Sequence, residues 1–371
     1  MELDPILTAL AAALAGEGPA VELLAGPAPE DRPGPEDEFE DVAVIVNTSG
    51  STGTPKRTAL SAGALAASSM ATAMALRGEG QWLLALPVHY VAGVQVLVRS
   101  LYAGTRPWAM DLSAGFTPEA FTAAAQELTD RTRFTSLVPT QLRRLLENPS
   151  PGTLDALRRF NAILLGGGPA PGSLLEQART EGLQVVTTYG MSETCGGCVY
   201  DGVPLEGMQV RLDGERILLG GDTVAAGYLG RPDLTAERFF EEDGVRWYRT
   251  EDLGALDAEG RLTVLGRADD VIITGGLKVS AAQVQKALEA IDGVQGAFVT
   301  GLPSEEWGQT VAAFVAGSDP AHVRDAAVEA LGHRLAPKII HCAAGLPLLP
   351  NGKPDRMAMT ETLRSAGDAG H

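Results

Sequence analysis

Short, almost wholly apolar runs alternate with longer amphipathic stretches over the first two hundred residues. Such apolar runs are typical of strands buried on both faces, and the stretches between them have the spacing of helices. The alternation predicts an α/β fold with a largely parallel sheet covered by helices on both faces. The predicted strands cover residues 42–46, 82–86, 134–138, 162–165 and 183–188, and the predicted helices cover residues 59–77, 117–130, 139–148 and 171–181.

The pattern changes near residue 203, and it changes again after "GRADD" at 266–270. Between these points, short segments with strand-like alternation are separated by Gly and Asp, which predicts a smaller antiparallel β region. After the second point, two amphipathic segments and two apolar segments predict a small α+β domain. The predicted elements of that domain are a helix at 280–292, strands at 294–302 and 310–317, and a helix at 320–335.

A chain of 371 residues is too long for one ordinary core, so we expect more than one domain. The acidic, proline-rich segment 26–41 is typical of a solvated surface connection. We predict an N-terminal domain over 1–266 that includes the β region at 203–266, a hinge at 267–270, and a mobile C-terminal domain over 271–371.

The formal net charge of −18 argues against a broad surface for nucleic acid or an anionic membrane, but it allows a local site for a small anion. The apolar stretch 83–98 is too short for a membrane span, and it carries His89 and Gln95. Glu2 and Asp4 stand where a signal peptide would be positively charged. Three cysteines provide no disulfide framework, so we expect free thiols and a cytoplasmic location.

The segment "NTSGSTGTPK" at 47–56 combines five hydroxyl side chains, two glycines and Lys56. It follows a predicted strand and precedes a predicted helix, a context in which backbone N–H groups and a helix N-terminus bind anions. The order of its residues differs from that of a Walker A loop. Close flanking elements argue against a flexible linker, so we predict a phosphate-binding loop.

Polar residues also follow three later strands, where ligands bind in open α/β sheets. "TTYGMSET" at 187–194 offers Tyr189 and Glu193, and a carboxylate such as Glu193 suits Mg²⁺ bound with substrate phosphates. "ILLGGGPAP" at 163–171 offers bare backbone for a flat ring, and "YRTEDLG" at 248–254 offers Asp252 for ribose hydroxyls. Considered alone, Glu193 is more simply explained as a surface-turn residue, and Asp252 could equally be a β-turn residue.

Five motifs occur in this order along the chain: "TSGSTGTPK", "YGMSET", "YRTED", "GRADDVIITGG" and "LPLLPNGKPDR". In this respect the chain resembles the acyl-adenylate-forming superfamily of acyl-CoA ligases, luciferases and adenylation domains. The segments 136–146, 164–178 and 187–197 are similar to those of the o-succinylbenzoate–CoA ligases of menaquinone biosynthesis. The resemblance implies an AMP-forming acid–thiol ligase that uses ATP, CoA and Mg²⁺. The aliphatic carboxylate of the substrate would be adenylated and then transferred to CoA.

The resemblance also implies roles for residues at the motif positions. Asp269 would be the hinge residue. Rotation of the small domain about it would remove Lys353 from the site and bring in Gly276, which would border the CoA tunnel. Considered alone, Lys353 could be an exposed turn lysine, since Asn-Gly is a turn signal. The β- and γ-phosphates would be bound by Thr48, Ser49, Ser51, Thr52 and Lys56, the α-phosphate by Ser192, and Mg²⁺ by Glu193. Adenine would be bound by Gly167, Gly168 and Tyr189, and the ribose by Asp252 and Arg267. Lys353 would catalyse adenylation.

Arg99 is the candidate for the aromatic carboxylate of o-succinylbenzoate, with Thr48 as a second contact. It is the only cation in the apolar run "VAGVQVLVRSLYAG", and a guanidinium suits a planar benzoate. The alternative is an arginine that caps a helix end. His89 and Tyr90 stand in "PVHYVAG", where the resembled ligases commonly read Phe-His, so either residue could gate the pantetheine tunnel.

Only 46 residues precede the phosphate loop, which is short for the superfamily, and a face left uncovered could be buried in a homodimer. Two other functions stay open at this stage. One is an acyl- or aryl-CoA ligase with a different carboxylate substrate, and the other is a nucleotide-binding relative without turnover. The combination of Lys353, Glu193 and Asp269 argues against a binding protein, which has no need of a mobile lysine.

Overall fold

A computed structural model describes residues 3–368 except 27–37, 49–55, 318, 350, 351 and 353. Eleven α-helices lie within these described ranges, and none of them is long and apolar enough to cross a membrane. The helices are α1 (Asp4–Leu14), α2 (Ala62–Ala75), α3 (Val91–Tyr102), α4 (Pro118–Gln126), α5 (Pro139–Leu146), α6 (Pro151–Arg158), α7 (Gly172–Thr180), α8 (Pro232–Arg238), α9 (Ala281–Glu289), α10 (Pro320–Leu335) and α11 (Arg356–Asp368).

The strands of the described part form four sheets. In chain order they are β1 (Val21–Glu22), β2 (Val42–Thr48), β3 (Lys56–Ser61), β4 (Gln81–Leu84), β5 (Trp108–Ala109), β6 (Arg133–Leu137), β7 (Ala162–Leu165), β8 (Val185–Met191), β9 (Gly196–Tyr200), β10 (Val203–Pro204), β11 (Met208–Asp213), β12 (Arg216–Gly221), β13 (Gly227–Tyr228), β14 (Phe239–Glu242), β15 (Val245–Leu256), β16 (Leu262–Arg267), β17 (Val271–Thr274), β18 (Leu277–Ser280), β19 (Gly296–Ser304), β20 (Gly308–Ala316) and β21 (Ile339–Ala343).

The largest sheet has seven strands in the order β10-β9-β8-β7-β6-β4-β5. The pairs from β5 to β8 are parallel, whereas β9 and β10 continue the sheet with antiparallel pairs. Its central strands are buried along their whole length, as the continuous apolar runs predict. The predicted α/β fold is therefore confirmed.

The helices beside this sheet begin at sequence signals of ordinary kind. Pro118 and Pro151 stand in the first turns of α4 and α6, where the absent N–H group leaves no helical hydrogen bond unmade. The hydroxyls of Thr117 and Ser150 accept hydrogen bonds from the backbone N–H groups of Ala120 and Thr153 and so cap these helices. The core beneath them contains Leu83, Phe121, Leu137, Leu142, Leu157 and Ile163.

The region around the phosphate loop differs from the prediction. Strand β2 lies in a separate sheet of order β1-β2-β3-β13, where it pairs antiparallel with β3. The helix predicted from residue 59 begins at Ala62, because residues 56–61 form β3 and bury Thr58, Ala59 and Leu60. The side chain of Ser61 then caps α2 by accepting from the N–H group of Ala64.

The chain divides into two compact units. One comprises Met1–Asp213, Leu218–Thr250 and Leu256–Leu262, and the other comprises Gly214–Ile217, Glu251–Ala255 and Thr263–His371. The β region that was predicted after residue 203 forms the sheet β11-β12-β15-β14, with β16 paired to β15. The predicted boundaries at 266 and 270 stay predictions.

The second unit has its own core, as its alternating helices and strands predict. Its sheet has the order β18-β17-β20-β19, and β21 pairs parallel with β20. Helices α9 and α10 bury Val284, Leu288 and Val323 against one side of this sheet. Helix α11 buries Met359 and Leu363 with Phe314 in a separate apolar cluster.

Candidate active site

The predicted phosphate loop is the connection of an antiparallel hairpin. Thr48 at the end of β2 pairs with Lys56 at the start of β3, and the hydroxyl of Thr48 donates to the Lys56 carbonyl at 3.5 Å. The loop is thus followed by a strand, so the expectation of a helix N-terminus at the loop is wrong. Ser49, Ser51 and Thr52 lie outside the described residues.

A turn at the carboxyl end of β8 carries the next predicted residues. Ser192–Thr194 form a single 3-10 turn, and Ser192 and Glu193 are only 6% and 7% exposed. The Thr194 hydroxyl accepts from the Met191 N–H group at 3.1 Å and donates to the Gly196 carbonyl at 2.8 Å. The chain then reverses through Cys195, whose φ of 52° is left-handed. Glu193 is therefore a buried carboxylate and not an exposed turn residue.

Tyr228, which the sequence analysis did not select, binds Glu193. Its hydroxyl donates to Glu193 Oε1 at 2.7 Å and lies 3.3 Å from the Tyr248 hydroxyl. Burial, followed by the nearby Glu193 charge, raises the pKa of Tyr228 above its ordinary value, so this phenol stays protonated and acts as a donor. The nitrogen Nζ of Lys56 lies 5.1 Å from the centroid of the Tyr228 ring. Tyr228 thus contacts both a predicted metal ligand and a predicted phosphate ligand.

The donor set at Glu193 suits a hard divalent cation. Oε1 is occupied by Tyr228, and Oε2 makes no hydrogen bond with the described residues. A carboxylate oxygen left in this way is the kind of ligand that Mg²⁺ takes together with substrate phosphates. No cluster of three or more His, Cys, Asp or Glu side chains suited to a metal occurs in the described part of the chain.

The two glycines predicted to lie against adenine follow β7. Gly167, with φ of 81°, and Gly168 are both exposed, and Tyr189 lies near the end of the neighbouring strand β8. A Cβ atom at Gly166 would lie 2.2 Å from the Thr188 hydroxyl, so only glycine allows the two strand ends to approach in this way. The structure places these residues at one edge of the sheet, and their roles at adenine stay predictions.

His89 and Tyr90 lie in the turn between β4 and α3. Their ring centroids are 4.2 Å apart, so the two side chains form one aromatic pair at the start of the helix. Burial lowers the pKa of His89. The role of either residue at a pantetheine tunnel stays a prediction.

Arg99 lies in the last turn of α3, but its side chain does not cap the helix end. It is 6% exposed, its Nη2 donates to the Tyr200 hydroxyl at 3.4 Å, and its guanidinium carbon lies 5.2 Å from the centroid of the Trp82 ring. Its Nε is buried and has no hydrogen-bond partner among the described residues. Arg99 is therefore a buried cation with unused hydrogen-bonding capacity.

A cleft of about 110 Å³ lies beside the Arg99 guanidinium. The hydroxyl of Ser69 in its wall is also buried without a partner in the described structure. Aromatic rings and polar groups share the lining, which suits a flat ring that carries a charged substituent. Besides Arg99 and Ser69, the cleft is lined by Thr72, Glu79, Trp82, Tyr102 and Phe134.

Strand register relates Arg99 to the Ser192–Thr194 turn. Tyr200, the hydrogen-bond partner of Arg99, pairs with Thr188, whereas Gly196 at the other end of β9 pairs with Met191. The five residues from Gly196 to Tyr200 make four strand steps, which place their outermost Cα atoms about 13 Å apart. Helix α3 thus contacts both the turn and β9: Gln95 donates to the Cys195 carbonyl beside the turn, and Arg99, one helical turn later, donates to the Tyr200 hydroxyl.

In the second unit, Arg267 is close to two other predicted residues. Its guanidinium forms two hydrogen bonds with the Asp269 carboxylate, at 2.7 and 2.8 Å, and lies 4.0 Å from Asp252 Oδ1. The hydrogen bond from Arg267 holds the pKa of Asp269 below its usual value. The predicted ribose ligands and the predicted hinge residue thus form one charged cluster within this unit.

Gly276 has a local structural role. Thr274 pairs with Leu277 across the β17–β18 hairpin, and the two intervening residues, Gly275 and Gly276, have φ of 53° and 80°. Such two-residue hairpins need positive φ at both central positions, which glycine adopts at low cost. The role of Gly276 at a CoA tunnel stays a prediction. Lys353 lies outside the described residues, between Gly352 and Pro354.

The cysteines are free thiols within the described structure. Cys195 and Cys198 are fully buried, and burial raises the pKa of Cys198 to about 12. Thiols that are neutral and inaccessible in this way are poor nucleophiles. The backbone of Cys195 instead has a structural role, because its carbonyl accepts a hydrogen bond from Gln95 at 2.6 Å.

Two protein-family models match the chain. The model of the AMP-binding enzyme family matches residues 5–229, and that of the AMP-binding enzyme C-terminal domain matches residues 283–353. A probable 2-succinylbenzoate–CoA ligase of Mycobacterium tuberculosis is 43% identical over 339 residues, which cover 89% of this chain and 86% of that protein.

Two solved structures of o-succinylbenzoate CoA synthetase from Bacillus subtilis are also similar. The complex with the acyl-adenylate intermediate has a TM-score of 0.72 and 29% identity, over 86% of this chain and 69% of that one. The complex with ATP and magnesium ion has a TM-score of 0.71 and 28% identity, over 86% and 70%. The predicted membership of the adenylate-forming enzymes is confirmed: the chain belongs to the AMP-binding enzyme family.

Proposed function

We propose that this chain is an AMP-forming ligase that joins o-succinylbenzoate to CoA in menaquinone biosynthesis. Relatives of this name support the proposal, because the chain matches one of them over most of both lengths. The structural observation that carries it is Arg99, a buried guanidinium whose Nε has no hydrogen-bond partner among the described residues. The substrate has two separated carboxylates, one to be activated at the turn and one to be bound at Arg99.

The reaction has two steps that balance without a redox partner. In the first, an oxygen of the aliphatic carboxylate bonds to the α-phosphorus of ATP, and the bond to the bridging oxygen breaks and releases pyrophosphate. In the second, the CoA thiol loses its proton and bonds to the acyl carbon, and AMP leaves. The anhydride formed in the first step supplies the leaving group that a free carboxylate lacks at neutral pH.

In the first step the protein positions groups and offsets charge. Ser192 is buried at the turn, where it can donate to the α-phosphate, and Lys56 at the base of the hairpin supplies positive charge to the departing pyrophosphate. We assign Lys353 to the carboxylate and α-phosphate, as its place in "PNGK" implies. We assign binding of the ribose hydroxyls to Asp252 and Arg267 of the second unit, and the hinge role to Asp269.

Mg²⁺ would be held at Glu193, whose Oε2 is not hydrogen-bonded to the described residues. When bound, the ion neutralises charge on the phosphates. Arg99 would neutralise the charge of the aromatic carboxylate, since its buried Nε has no hydrogen-bond partner among the described residues. Such a guanidinium can donate two hydrogen bonds to a second carboxylate, and a simple fatty acid has only the one carboxylate that is activated.

Two further parts of the proposal concern partners and compartment. We propose a homodimer and, because the described cysteines are free thiols, a cytoplasmic location. Light scattering measures the first, and a monomer at micromolar concentration would refute it. No part of the reaction needs the dimer, so the ligase proposal stands independently of its outcome.

The experiment is product identification. Purified protein with ATP, Mg²⁺, CoA and o-succinylbenzoate is expected to yield equal amounts of o-succinylbenzoyl-CoA, AMP and pyrophosphate, detected by mass spectrometry and a pyrophosphate assay. Reactions that lack CoA or the carboxylate are the controls. Thioester formation from another carboxylate but not from this one would favour the alternative, an acyl- or aryl-CoA ligase of different specificity. No turnover of any carboxylate would favour a nucleotide-binding relative.

A further inference from the structure

Tyr228 lies on a two-residue strand that is fixed tightly to the phosphate hairpin. Strand β13 pairs with β3, with Tyr228 opposite Thr58, and the Leu229 N–H group donates to the Arg57 carbonyl at 2.9 Å. The Tyr228 N–H group donates to the Thr235 hydroxyl at 2.9 Å. A Cβ atom at Gly227 would lie 2.6 Å from a methyl carbon of Thr235, so the strand has little room to shift.

The Tyr228 side chain joins two elements that are distant in sequence. Its hydroxyl contacts Glu193 at 2.7 Å, and its ring face contacts the Lys56 ammonium group at 5.1 Å from the centroid. Tyr228 and Glu193 are both buried, so little water competes for the hydrogen bond between them. An aromatic side chain that only filled space would not need this hydroxyl.

We propose that Tyr228 is a positioning residue: it holds the Glu193 carboxylate so that Oε2 faces the metal ion of the ATP complex, and it keeps Lys56 at a fixed distance from that ion. The inference rests on the proposed function only for the presence of a metal–nucleotide complex. It does not depend on which carboxylate is the substrate. Groups that orient a metal ligand in this way commonly change metal affinity about 10-fold or more when they are removed.

The substitution Tyr228→Phe separates positioning from packing, because it removes the hydroxyl and keeps the ring beside Lys56. The probe is Mn²⁺, titrated by electron paramagnetic resonance in the presence of a non-hydrolysable ATP analogue. We expect the dissociation constant for Mn²⁺ to rise about 10-fold. Binding of the analogue without metal, measured by calorimetry, is expected to stay unchanged. Thr8→Val, which removes an exposed hydroxyl group from α1, is the control.

A second pair of variants tests whether Tyr228 acts through Glu193. The comparison stays valid when the variants are less stable than the wild type. In the Glu193→Gln background, adding Tyr228→Phe is expected to change Mn²⁺ affinity little, because the carboxylate to be oriented is gone. Equal Mn²⁺ affinity of the wild type and Tyr228→Phe would overturn the inference, as would an equal effect in both backgrounds. A wild type without metal-dependent nucleotide binding would overturn it together with the metal site. Weakened Mn²⁺ binding in a protein that does not turn over o-succinylbenzoate would support the inference and refute the substrate.

Discussion

Arg57 and Glu22 form a two-point ion pair at the base of the phosphate hairpin. The Arg57 Nη2 and Nε atoms lie 2.8 and 3.2 Å from the two Glu22 carboxylate oxygens, and both side chains are 14% exposed. Glu22 also accepts from Asn47 Nδ2 at 2.8 Å. Because Asn47 and Arg57 are opposite each other on β2 and β3, one carboxylate from β1 fixes both strands that flank the loop.

Replacement of Glu22 is therefore expected to weaken ATP binding. Glu22→Ala leaves the guanidinium of Arg57 partly buried without this carboxylate, at a cost of about 2 kcal/mol in the free energy of unfolding. The freed strand ends are expected to raise the KM for ATP several-fold and to leave the KM for the carboxylate unchanged. Steady-state pyrophosphate release and urea unfolding measure the two effects. Glu17→Ala, at an exposed position after α1, is the control, and an unchanged KM for ATP would refute the role of Glu22.

The parallel strands of the main sheet could be predicted because their apolar runs are continuous and local in sequence. Strand β3 was missed because "TALSAGALAASSM" has strong helix formers throughout, and its strand conformation depends on pairing with β2. Tertiary pairing overrode local propensity there. The motif residues could be chosen as candidates from their order along the chain, and their roles stay predictions. Glu22 and Tyr228 carry no local signal, since their partners lie 35 residues away in each case.

Lys353 is expected to serve the first half-reaction alone. Lys353→Ala should abolish pyrophosphate release from ATP and o-succinylbenzoate, because the positive charge between the carboxylate and the α-phosphate is lost. The same variant should still convert a supplied acyl-adenylate and CoA to the thioester. Rapid-quench assays of each half-reaction make the comparison, and Lys338→Ala is the control. Loss of both half-reactions together would indicate a structural role for Lys353.

His89 is expected to make the protein less stable in acid. Burial lowers its folded-state pKa below its ordinary value of 6.5, so between these two values the unfolded state binds more protons than the folded state. The free energy of unfolding should therefore fall as the pH is lowered through 6.5, until the folded state is protonated as well. Urea unfolding at pH 7.5 and pH 5 should show a smaller loss for His89→Gln than for the wild type. His322→Gln, on the exposed side of α10, gives the background, and equal losses in all three proteins would contradict the prediction.

The turn between β17 and β18 is expected to require glycine at position 276. Gly276→Ala introduces a side chain at φ of 80°, which costs about 1 kcal/mol although no atom lies within 4 Å of the new Cβ. Gly345→Ala, which also has open space but no positive φ, is the matched control and should leave the free energy of unfolding almost unchanged. Equal stability of the two variants would refute the conformational explanation. A raised KM for CoA in a Gly276→Ala protein of normal stability would instead favour the tunnel role.

The central claim is that buried Arg99 recognises the aromatic carboxylate of the substrate. It is tested most directly by the ratio of kcat/KM for o-succinylbenzoate and for 4-oxo-4-phenylbutanoate, which is the same molecule without that carboxylate. We expect the wild type to favour o-succinylbenzoate by about 10- to 100-fold, as the loss of a charge-assisted hydrogen-bonded pair implies. Arg99→Leu should lower this ratio to about 1, whereas Arg106→Leu, at an exposed arginine, should keep it. Equal kcat/KM for the two acids in the wild type would contradict the account.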